Sequence, residues 1–461
     1  MKRQELIPVR PVLDPNLPQV YIETYGCQMN VNDSEVVLAV LQKEGYSLCR
    51  TMEEADLILV NTCSIRDNAE QRILGRLDVF RLQKIKRRSL VVGVLGCMAE
   101  RMKDELLKHP AVDLVAGPDA YRSLPELVAA VKAGGKHSNT ILSHEETYAD
   151  IAPVRMDQNG VSAYISIMRG CNNVCSYCIV PYVRGAERSR DPYSIVREAE
   201  ALVGSGYKEI NLLGQNVDSY LWSDPQNPEK KIDFATLLEM VSLVDPSVRV
   251  RFSTSHPKDM GDAVLRTMAS HRNICPHIHL PVQSGSNLVL DRMNRKYTRE
   301  TYLERIAKIR ELIPDCAVTT DVIVGFCGET EEDYELTLSL FEEVRYDGAY
   351  MFYYSERPGT KAARHFKDDV PLDVKTARLN RIIALQNEHS LENNQKCVGR
   401  IYEVLVEGPS KRSPQELVGR TPQNKTCVFP AKGHKAGDYV NVKVLSCTSA
   451  TLLSEIVEPE A

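Results

Sequence analysis

The chain of 461 residues has 43% hydrophobic residues and a net charge of −5, and this length predicts about three domains. Without a basic excess, any nucleic-acid partner must be bound through local patches. No apolar run has the length of a signal peptide or a membrane-spanning helix, so we expect a cytoplasmic protein without membrane contact. Thirteen cysteines are many for a reducing compartment and indicate metal binding or catalysis rather than disulfides.

The first part of the chain repeats a strand, a cysteine and a helix three times. Alternating strands and helices predict a doubly wound parallel sheet, which we place over residues 18–135. Ligands of such sheets bind beyond the carboxyl ends of the strands, so the cysteines are expected to converge there as a three-thiolate metal site. The alternative is that each cysteine is merely packed in the core. Predicted strands at 20–26, 56–62 and 90–96 end at Cys27, Cys63 and Cys97 (the strand-end cysteines), and predicted helices follow at 34–44, 66–87 and 98–109.

A second group of cysteines follows an alternating apolar run. Cys171, Cys175 and Cys178 (the loop cysteines) lie within eight residues, and no fourth Cys or His lies nearby. A structural zinc site needs four protein ligands. Three thiolates suit an iron–sulfur cluster in which one iron stays open to a small molecule. The pattern therefore predicts a metal centre that takes part in chemistry.

Six further strand–helix units predict an incomplete parallel (βα)6 barrel over residues 155–390. Barrel enzymes place their active residues at the carboxyl ends of the strands. Gln215, Ser255 and Gln283 follow such ends together with several glycines, so we expect a ligand-binding rim, although each segment alone would be an ordinary loop. The predicted strands are 162–168, 209–214, 248–253, 277–281, 318–325 and 349–354, and the predicted helices are 194–205, 234–244, 261–270, 299–312 and 330–344.

The composition changes again near residue 393. Short alternating runs, separated by turn-rich segments, predict a small all-β, OB-like barrel over residues 393–458. The five predicted strands are 399–407, 417–420, 427–429, 439–444 and 450–456.

These motifs closely resemble those of the radical S-adenosylmethionine (SAM) methylthiotransferases. The spacing Cys-x-x-x-Cys-x-x-Cys, with the aromatic Tyr177 before the third cysteine, is the mark of the radical SAM superfamily. The motifs at residues 25–30, 61–66, 213–216 and 279–285 resemble the MiaB branch. That branch attaches a methylthio group to C2 of N6-isopentenyladenosine next to the tRNA anticodon. The branch that modifies a ribosomal protein usually has Pro-Lys-Asn after the first cysteine, which this chain lacks.

The resemblance implies two [4Fe–4S] clusters and two SAM molecules per turnover. The cluster on the loop cysteines binds one SAM, and its one-electron cleavage gives the deoxyadenosyl radical that takes the hydrogen from C2. The cluster on the strand-end cysteines carries the sulfur, which the second SAM methylates. An external low-potential reductant, of flavodoxin or ferredoxin type, is required. We expect a monomer in which the two incompletely ligated centres face each other across one cavity.

The resemblance also implies a set of SAM contacts. Gln215 is expected to meet the methionine moiety, and Ser255 and Gln283 the carboxylate or ribose. Phe352 and the backbone of residues 322–325 are expected to flank the adenine. Burial in the barrel core is the alternative for these adenine contacts. The full predicted cofactor-binding set is Tyr177, Gln215, Ser255, Gln283, Val324 and Phe352.

Two basic segments are candidates for RNA contacts. Arg184, Arg188 and Arg190 follow the loop cysteines and are expected to pair with phosphates. A loop held by salt bridges to Glu187 and Asp191 is an equally good interpretation.

The C-terminal barrel resembles the TRAM domain, an RNA-binding module, and Gly-Arg-Thr-Pro-Gln-Asn at residues 419–424 matches its signature. Arg420, Lys425, Lys432 and Lys435 are expected to contact phosphates, which predicts salt-dependent binding. A stabilising barrel without RNA contact is the alternative.

The leading interpretation is a tRNA methylthiotransferase whose partner is an anticodon stem-loop bearing isopentenyladenosine. One rival performs the same chemistry on a threonylcarbamoyl-type adenosine or on a ribosomal protein. The residues after Cys27 and Cys63 argue against this rival. Another rival is a non-catalytic iron–sulfur protein that binds RNA or transfers electrons. Such a protein does not need a ring of polar strand ends around an open iron.

Overall fold

The computed structural model describes residues 11–64, 67–156 and 160–457. Ile65 and Arg66 of the second cysteine motif, and Glu458 at the predicted end of the C-terminal domain, lie outside these residues. The chain divides into two compact units. In the described part of the chain, no helix has both the length and the apolar character needed to cross a membrane. The first unit comprises Met1–Asp157, Tyr164–Asn172 and Ile179–Leu202, and the second comprises Gln158–Ala163, Asn173–Cys178 and Val203–Ala461.

The first unit is built on a six-stranded parallel sheet with the order β2–β1–β3–β4–β5–β6. The two central strands are buried along their whole length and, apart from Asn61 and Thr62 at the end of β3, consist of apolar residues and glycine, as expected of parallel strands covered on both faces. The described elements are β1 (Gln19–Thr24), α1 (Gln28–Lys43), β2 (Ser47–Leu48), β3 (Leu57–Thr62), α2 (Asp67–Lys86), β4 (Val91–Gly96), α3 (Cys97–Lys108), β5 (Leu114–Ala116), α4 (Leu124–Ala133) and β6 (His137–Asn139).

Alternate residues of the central strands belong to two separate cores. Leu57 and Leu59 pack with residues of α1 and α4. Ile58 and Val60 pack with residues of α2 and α3. Helices therefore cover both faces, and the predicted doubly wound sheet is confirmed. The strands β2, β5 and β6 were not predicted, because they have only two or three residues each and show no periodic pattern.

The central region contains two three-stranded parallel sheets, ordered β13–β10–β7 and β14–β15–β16. A parallel bridge between Val250 and Ile274 continues the first sheet toward the second. The order follows the chain, as in the predicted open barrel. The strands are β7 (Ser162–Ser166), β10 (Glu209–Leu213), β13 (Arg249–Ser253), β14 (His277–His279), β15 (Ala317–Val324) and β16 (Gly348–Tyr353), with β8 (Met168–Arg169) and β9 (Arg188–Ser189) forming a separate antiparallel pair.

Helices follow the barrel strands as predicted, with several additions. A hairpin of β11 (Leu221–Asp224) and β12 (Asn227–Asp233) occupies a polar stretch that gave no strand signal. A helix of 24 residues leads to the last domain and was also not predicted. The helices are α5 (Val180–Arg184), α6 (Pro192–Gly204), α7 (Phe234–Ser242), α8 (Asp262–Ser270), α9 (Asn287–Arg292), α10 (Arg299–Leu312), α11 (Glu331–Val344), α12 (Lys361–His365) and α13 (Leu372–Gln395).

The last five strands close into a barrel in the order β17–β18–β19–β21–β20. This 1-2-3-5-4 order, with the third and fifth strands parallel, confirms the small OB-like barrel. Its core contains Val404, Val406, Phe429, Val442 and Leu452. The strands are β17 (Ile401–Pro409), β18 (Glu416–Arg420), β19 (Thr426–Pro430), β20 (Tyr439–Cys447) and β21 (Leu452–Ile456).

Candidate metal centres and active site

The strand-end cysteines lie at the carboxyl ends of three neighbouring strands of the first unit. Cys27 follows β1 and caps α1, Cys63 follows the central strand β3, and Cys97 follows β4 as the first residue of α3. Since β3 pairs with both β1 and β4, the three thiols belong to one edge of the sheet, as predicted. Two of them, Cys27 and Cys97, stand at the N-termini of α1 and α3.

The glycines before two of these cysteines show how closely the chain is gathered. Gly26 and Gly96 have φ values of 116° and 89°, which L-residues adopt only with strain. A Cβ at Gly26 would lie 2.5 Å from Cβ of Cys63, and a Cβ at Gly96 would lie 2.6 Å from the carbonyl oxygen of Thr62. Only glycine lets the two outer segments approach the end of β3 this closely.

Arg184 belongs to this edge as well. Its Nε donates to Sγ of Cys97 at 3.2 Å, and its Nη2 donates to Asp33 at 2.9 Å and to Asn30 at 2.8 Å. Asp33 is fully buried and also pairs with Arg169 at 2.7 Å. The two guanidinium groups hold the pKa of Asp33 below its ordinary value against the opposing effect of burial. Burial raises the pKa of the Cys97 thiol, and Arg184 acts in the opposite direction.

The three arginines that we expected to meet RNA phosphates are buried. Arg184 pairs with Asp33, Arg188 with Asp119 at 2.9 Å, and Arg190 with Glu198 at 2.5 Å. The structure contradicts the predicted phosphate contacts of these three arginines, because a buried guanidinium group that is paired with a carboxylate does not face a phosphate. The alternative of a loop held by salt bridges agrees better with the structure. However, Arg184 and Arg188 pair with Asp33 and Asp119, which are remote in sequence, and not with Glu187 or Asp191.

The loop cysteines are divided between the units, with Cys171 in the first and Cys175 and Cys178 in the second. In the first unit, Gly170 has a φ of 75° and the backbone N–H of Cys171 donates to Gly185 at 3.1 Å. In the second unit, Cys178 closes a turn by donating to the carbonyl of Cys175 at 3.0 Å. Each part of the loop is thus fixed by main-chain hydrogen bonds.

Ser176 anchors the second-unit part of the loop to α9 and α12. Its hydroxyl donates to the carbonyl of Arg292 at 2.7 Å, and its carbonyl accepts from Ala362 at 2.6 Å. Beside it, the predicted cofactor-loop aromatic Tyr177 packs edge-on against Phe326, with ring centroids 6.4 Å apart. These contacts hold the backbone between Cys175 and Cys178 in place.

Cys175 is also contacted by a residue that sequence reasoning missed. Nη1 of Arg295 donates to Sγ of Cys175 at 3.3 Å. Arg295 is buried, and its other guanidinium nitrogens donate to the hydroxyl of Tyr297 and the carbonyl of Pro281. No sequence signal pointed to this contact, since the two residues are 120 positions apart.

The predicted polar rim lies at the ends of β10, β13 and β14. Buried side-chain oxygens of Gln215, Asn216 and Gln283 lack a hydrogen-bond partner, as does Nε2 of His256. Gln283 has a φ of 71°, and such a backbone costs on the order of 1–3 kcal/mol for a residue other than glycine. Buried polar groups are normally satisfied. Unsatisfied polar groups at the ends of these strands fit a polar ligand that supplies the missing partners.

The pKa values of an aspartate and a histidine near these strand ends are shifted from their ordinary values. Burial raises the pKa of Asp218 to about 7, although its carboxylate accepts from the backbone of His256 at 3.0 Å. Burial lowers the pKa of His256 to about 3, and the charge of Arg295 acts in the same direction. The imidazole is therefore neutral at physiological pH. The predicted contact Ser255 is buried in the same segment.

The predicted adenine contacts differ in exposure. Val324 is fully buried as the last residue of β15, next to Gly325 with a φ of 68°. The N–H of Gly325 donates to Glu329 at 2.7 Å. Phe352 is 37% exposed on β16, so the core interpretation is wrong for Phe352 and a contact with a ligand stays a prediction.

The TRAM-like signature segment contacts the barrel strands of the second unit. Guanidinium nitrogens of Arg251 donate to the carbonyls of Thr421 and Pro422, both at 2.9 Å. Nζ of Lys425 is bound by Asp347 at 2.7 Å and by Asn394 at 3.1 Å.

The predicted phosphate contact of Lys425 is corrected by this placement, because its ammonium group already has an internal carboxylate and is only 13% exposed. Arg420 is 38% exposed and pairs with Glu407 at 2.8 Å. A phosphate contact of Arg420 therefore stays a prediction.

Within the described residues, no three His, Cys, Asp or Glu side chains already converge in the manner of a metal-ion site. The fit to an iron–sulfur cluster therefore depends on donor chemistry and backbone placement. None of the thirteen cysteines forms a disulfide, and thiolates are the ligands such clusters take. The glycine contacts place the strand-end cysteines at one edge, with a guanidinium beside Cys97. Both cysteine sets fit the group chemically.

Family models match three parts of the chain. They are described as the uncharacterized protein family UPF0004 at residues 19–117, the radical SAM superfamily at residues 165–341 and the TRAM domain at residues 395–457. A solved structure of the radical SAM methyltransferase TsrM from Kitasatospora setae matches with a TM-score of 0.55 and 14% identity, over 85% of this chain and 79% of that one. This likeness shows the fold alone.

Relatives of known name match nearly the whole chain. A tRNA-2-methylthio-N(6)-dimethylallyladenosine synthase from Bacteroides thetaiotaomicron is 59% identical over 439 residues, covering 95% of this chain and 96% of the relative. The one from Amoebophilus asiaticus is 56% identical over 456 residues, covering 97% and 93%.

The sheet, the open barrel, the closed C-terminal barrel and two sets of three cysteines together define a radical SAM enzyme with a TRAM domain. Within that class, the chain belongs to the tRNA-2-methylthio-N(6)-dimethylallyladenosine synthase family.

Proposed function

We propose that the protein attaches a methylthio group to C2 of N6-isopentenyladenosine next to the tRNA anticodon. The observation that carries the proposal is the presence of two separate sets of three cysteines in a chain of this family, one at the strand ends of the sheet and one in the loop that follows the first barrel strand. An electron-transfer or RNA-binding protein does not need the unsatisfied polar rim in addition.

Each cysteine set holds one [4Fe–4S] cluster in this proposal. When bound, the two clusters and two SAM molecules supply the radical, the sulfur and the methyl group. Cys171, Cys175 and Cys178 are the ligands on the barrel side, and the strand-end cysteines are the ligands on the sheet side. Three thiolates leave one iron of each cluster open, so that each centre can bind a further group.

The rim residues orient SAM. Gln215, Asn216 and Gln283 present buried oxygens without partners, which suits the ammonium group of the methionine moiety and the ribose hydroxyls. Neutral His256 offers Nε2 as one further polar contact. The left-handed backbone of Gln283 is fixed by hydrogen bonds to Asp321 and Ile323. Its side chain is therefore oriented before the ligand arrives, which lowers the cost of binding.

The TRAM domain supports a tRNA substrate, and the relatives' names specify the nucleoside. The part of this domain that binds RNA is the surface that does not carry Thr421, Pro422 and Lys425, since these residues contact the barrel. The proposal further includes a cytoplasmic monomer and an external one-electron reductant of low potential, of flavodoxin or ferredoxin type.

The direct test is anaerobic reconstitution of the full chain with iron and sulfide, followed by SAM, dithionite and an isopentenylated anticodon stem-loop. We expect deoxyadenosine and a 2-methylthio product, both detected by mass spectrometry. Cys175→Ala should abolish both products. Cys97→Ala should keep deoxyadenosine formation and lose methylthiolation. If the wild-type enzyme cleaves SAM but leaves the stem-loop unmodified, the substrate assignment fails.

A further inference from the structure

Arg295 differs from the other buried arginines in its counter-charge. Nine arginines of the described residues are buried, and eight of them form ion pairs with an Asp or Glu. For Arg295, no Asp or Glu of the described chain forms such a pair, and the sulfur of Cys175 stands in that place at 3.3 Å. The eight paired arginines are Arg155, Arg169, Arg184, Arg188, Arg190, Arg249, Arg251 and Arg378.

The remaining contacts of Arg295 are neutral. Its Nε donates to the hydroxyl of Tyr297 at 3.0 Å, and its Nη2 donates to the carbonyl of Pro281 at 2.9 Å. The guanidinium carbon lies 5.3 Å from the centre of the Tyr297 ring. These groups satisfy the N–H donors but bring no negative charge. A buried charge without a counter-charge is costly. An anion on the Cys175 side would offset the charge of Arg295.

We propose that Arg295 is the charge-compensating residue of the cluster on the loop cysteines. Three thiolates and a reduced cluster bring negative charge to a site where the fixed guanidinium supplies the opposite charge and a hydrogen bond to a ligand sulfur. Both effects stabilise the state that has gained one electron, and they raise the reduction potential. Arg295 thereby brings the cluster within reach of the external one-electron donor. This inference rests on the proposed function, which makes Cys175 a cluster ligand.

The contrast with Arg184 supports a specific role. Arg184 also donates to a cysteine sulfur, on Cys97, but its charge is shared with Asp33 at 2.9 Å. Arg184 therefore has a carboxylate partner, which it shares with Arg169, whereas Arg295 has none among the described residues. The buried arginine without a carboxylate partner is thus the one that contacts the centre that must accept an electron from outside.

The test uses the full chain with Cys27, Cys63 and Cys97 replaced by Ala, so that one cluster is observed. The reduction potential is measured by redox titration followed by electron paramagnetic resonance. In this background Arg295→Met should lower the ratio of reduced to oxidised cluster at a fixed donor potential about tenfold, which is about 59 mV for one electron. Arg295→Lys should stay close to the parent, because it keeps the charge.

Arg251→Met is the matched control, since Arg251 is equally buried but is paired with Glu209 at 2.6 Å. Its potential should equal that of the parent. A second measurement compares the thermal unfolding midpoints of cluster-free and cluster-loaded protein. Loading should raise the midpoint less in Arg295→Met than in the parent. A folded Arg295→Met protein that holds no cluster, beside an Arg295→Lys protein that does, supports the same conclusion.

The failure of the proposed function and the failure of the proposed role of Arg295 give different results. If the parent background assembles no cluster, the assignment of the loop cysteines under the proposed function fails. If it assembles one and Arg295→Met leaves the potential unchanged, the role of Arg295 is overturned while the proposed function stands. An equal shift in Arg295→Lys and Arg295→Met would also overturn it, because the charge would then not be the cause.

Discussion

Nε of Arg184 lies 3.2 Å from Sγ of Cys97. Arg184 is the last residue of α5, a short helix that begins two residues after the third loop cysteine. The same guanidinium group reaches Asp33 on α1. The segment that follows the loop cysteines therefore completes the surroundings of the strand-end set within the first unit. An arginine that sequence reasoning assigned to RNA instead donates a hydrogen bond to one of the strand-end cysteines.

Replacing Arg184 by Met should uncouple the two reactions. The variant keeps the loop cysteines and should still form deoxyadenosine from SAM, while methylthiolation falls at least tenfold because the strand-end set loses its hydrogen-bond donor. Asp33 keeps Arg169 as a partner, so we expect a stability loss of only about 1–3 kcal/mol. The iron content, the amount of deoxyadenosine formed and the amount of modified nucleoside formed are measured on one preparation. Retention of full methylthiolation would refute this role, and Arg188→Met serves as the control for a buried arginine that contacts Asp119 instead.

The glycine before Cys27 offers a test of how the strand-end cysteines are brought together. Gly26→Ala places a Cβ 2.5 Å from Cβ of Cys63 in a backbone with a φ of 116°. The matched control is Gly45→Ala, which has a φ of 81° and no atom within 4 Å of the added Cβ. Both variants should lose about 1–2 kcal/mol of unfolding free energy from left-handed strain.

Only Gly26→Ala should also lose the iron of the strand-end cluster, because it displaces Cys63. Iron content and chemical denaturation measured on both variants separate the two effects. Equal iron content in the two proteins would show that the contact with Cys63 does not set the geometry of the site.

The sequence was sufficient for the elements that have a strong burial pattern. The central strands β3 and β4 are buried throughout and begin with apolar runs, and β15 alternates buried and partly exposed residues over most of its length. Their positions, and the cysteines that follow them, could therefore be predicted within a few residues. The parallel order then placed the strand-end cysteines on one edge without any knowledge of side chains.

The partners of the buried charges could not be predicted in the same way. Arg184 and Asp33 are 151 positions apart, and Arg295 and Cys175 are 120 apart. Composition and periodicity report whether a residue is buried, but they do not report which distant carboxylate or thiol it meets. For this reason arginines 184, 188 and 190, together with Lys425, were assigned to RNA from their charge, and the structure shows internal partners.

Lys425 provides a prediction about the C-terminal domain. Its ammonium group joins the signature segment to Asp347 and Asn394, so Lys425→Met should lower the unfolding free energy by about 1–3 kcal/mol. The slope of log affinity for tRNA against log salt should stay unchanged, since no phosphate contact is removed. Lys435→Met, at an exposed lysine of the same barrel, should leave stability unchanged. A decrease of the salt slope by about one in Lys425→Met would instead show a phosphate contact.

Asp218 provides a prediction about pH. Burial raises its pKa from the ordinary 3.8 to about 7, so the folded protein binds a proton that the unfolded chain releases between these values. Stability should therefore fall as the pH rises from about 4 to 7, by on the order of 4 kcal/mol from this group. Asp218→Asn should remove this part of the decline, because the amide cannot ionise. Urea unfolding at pH 5 and pH 7 measures the difference.

Asp259 is the control of opposite sign for this prediction. It pairs with Lys258 at 2.9 Å and accepts from Asn216 at 2.7 Å, and its pKa is lowered because these contacts outweigh burial. Its contribution to stability is present above the ordinary value of 3.8 and is lost as the pH falls through the lowered pKa. Asp259→Asn should therefore destabilise the protein equally at pH 5 and pH 7. If the free energy of unfolding changes between pH 5 and pH 7 by the same amount in Asp218→Asn as in the parent, Asp218 does not hold a proton in the folded protein near neutral pH.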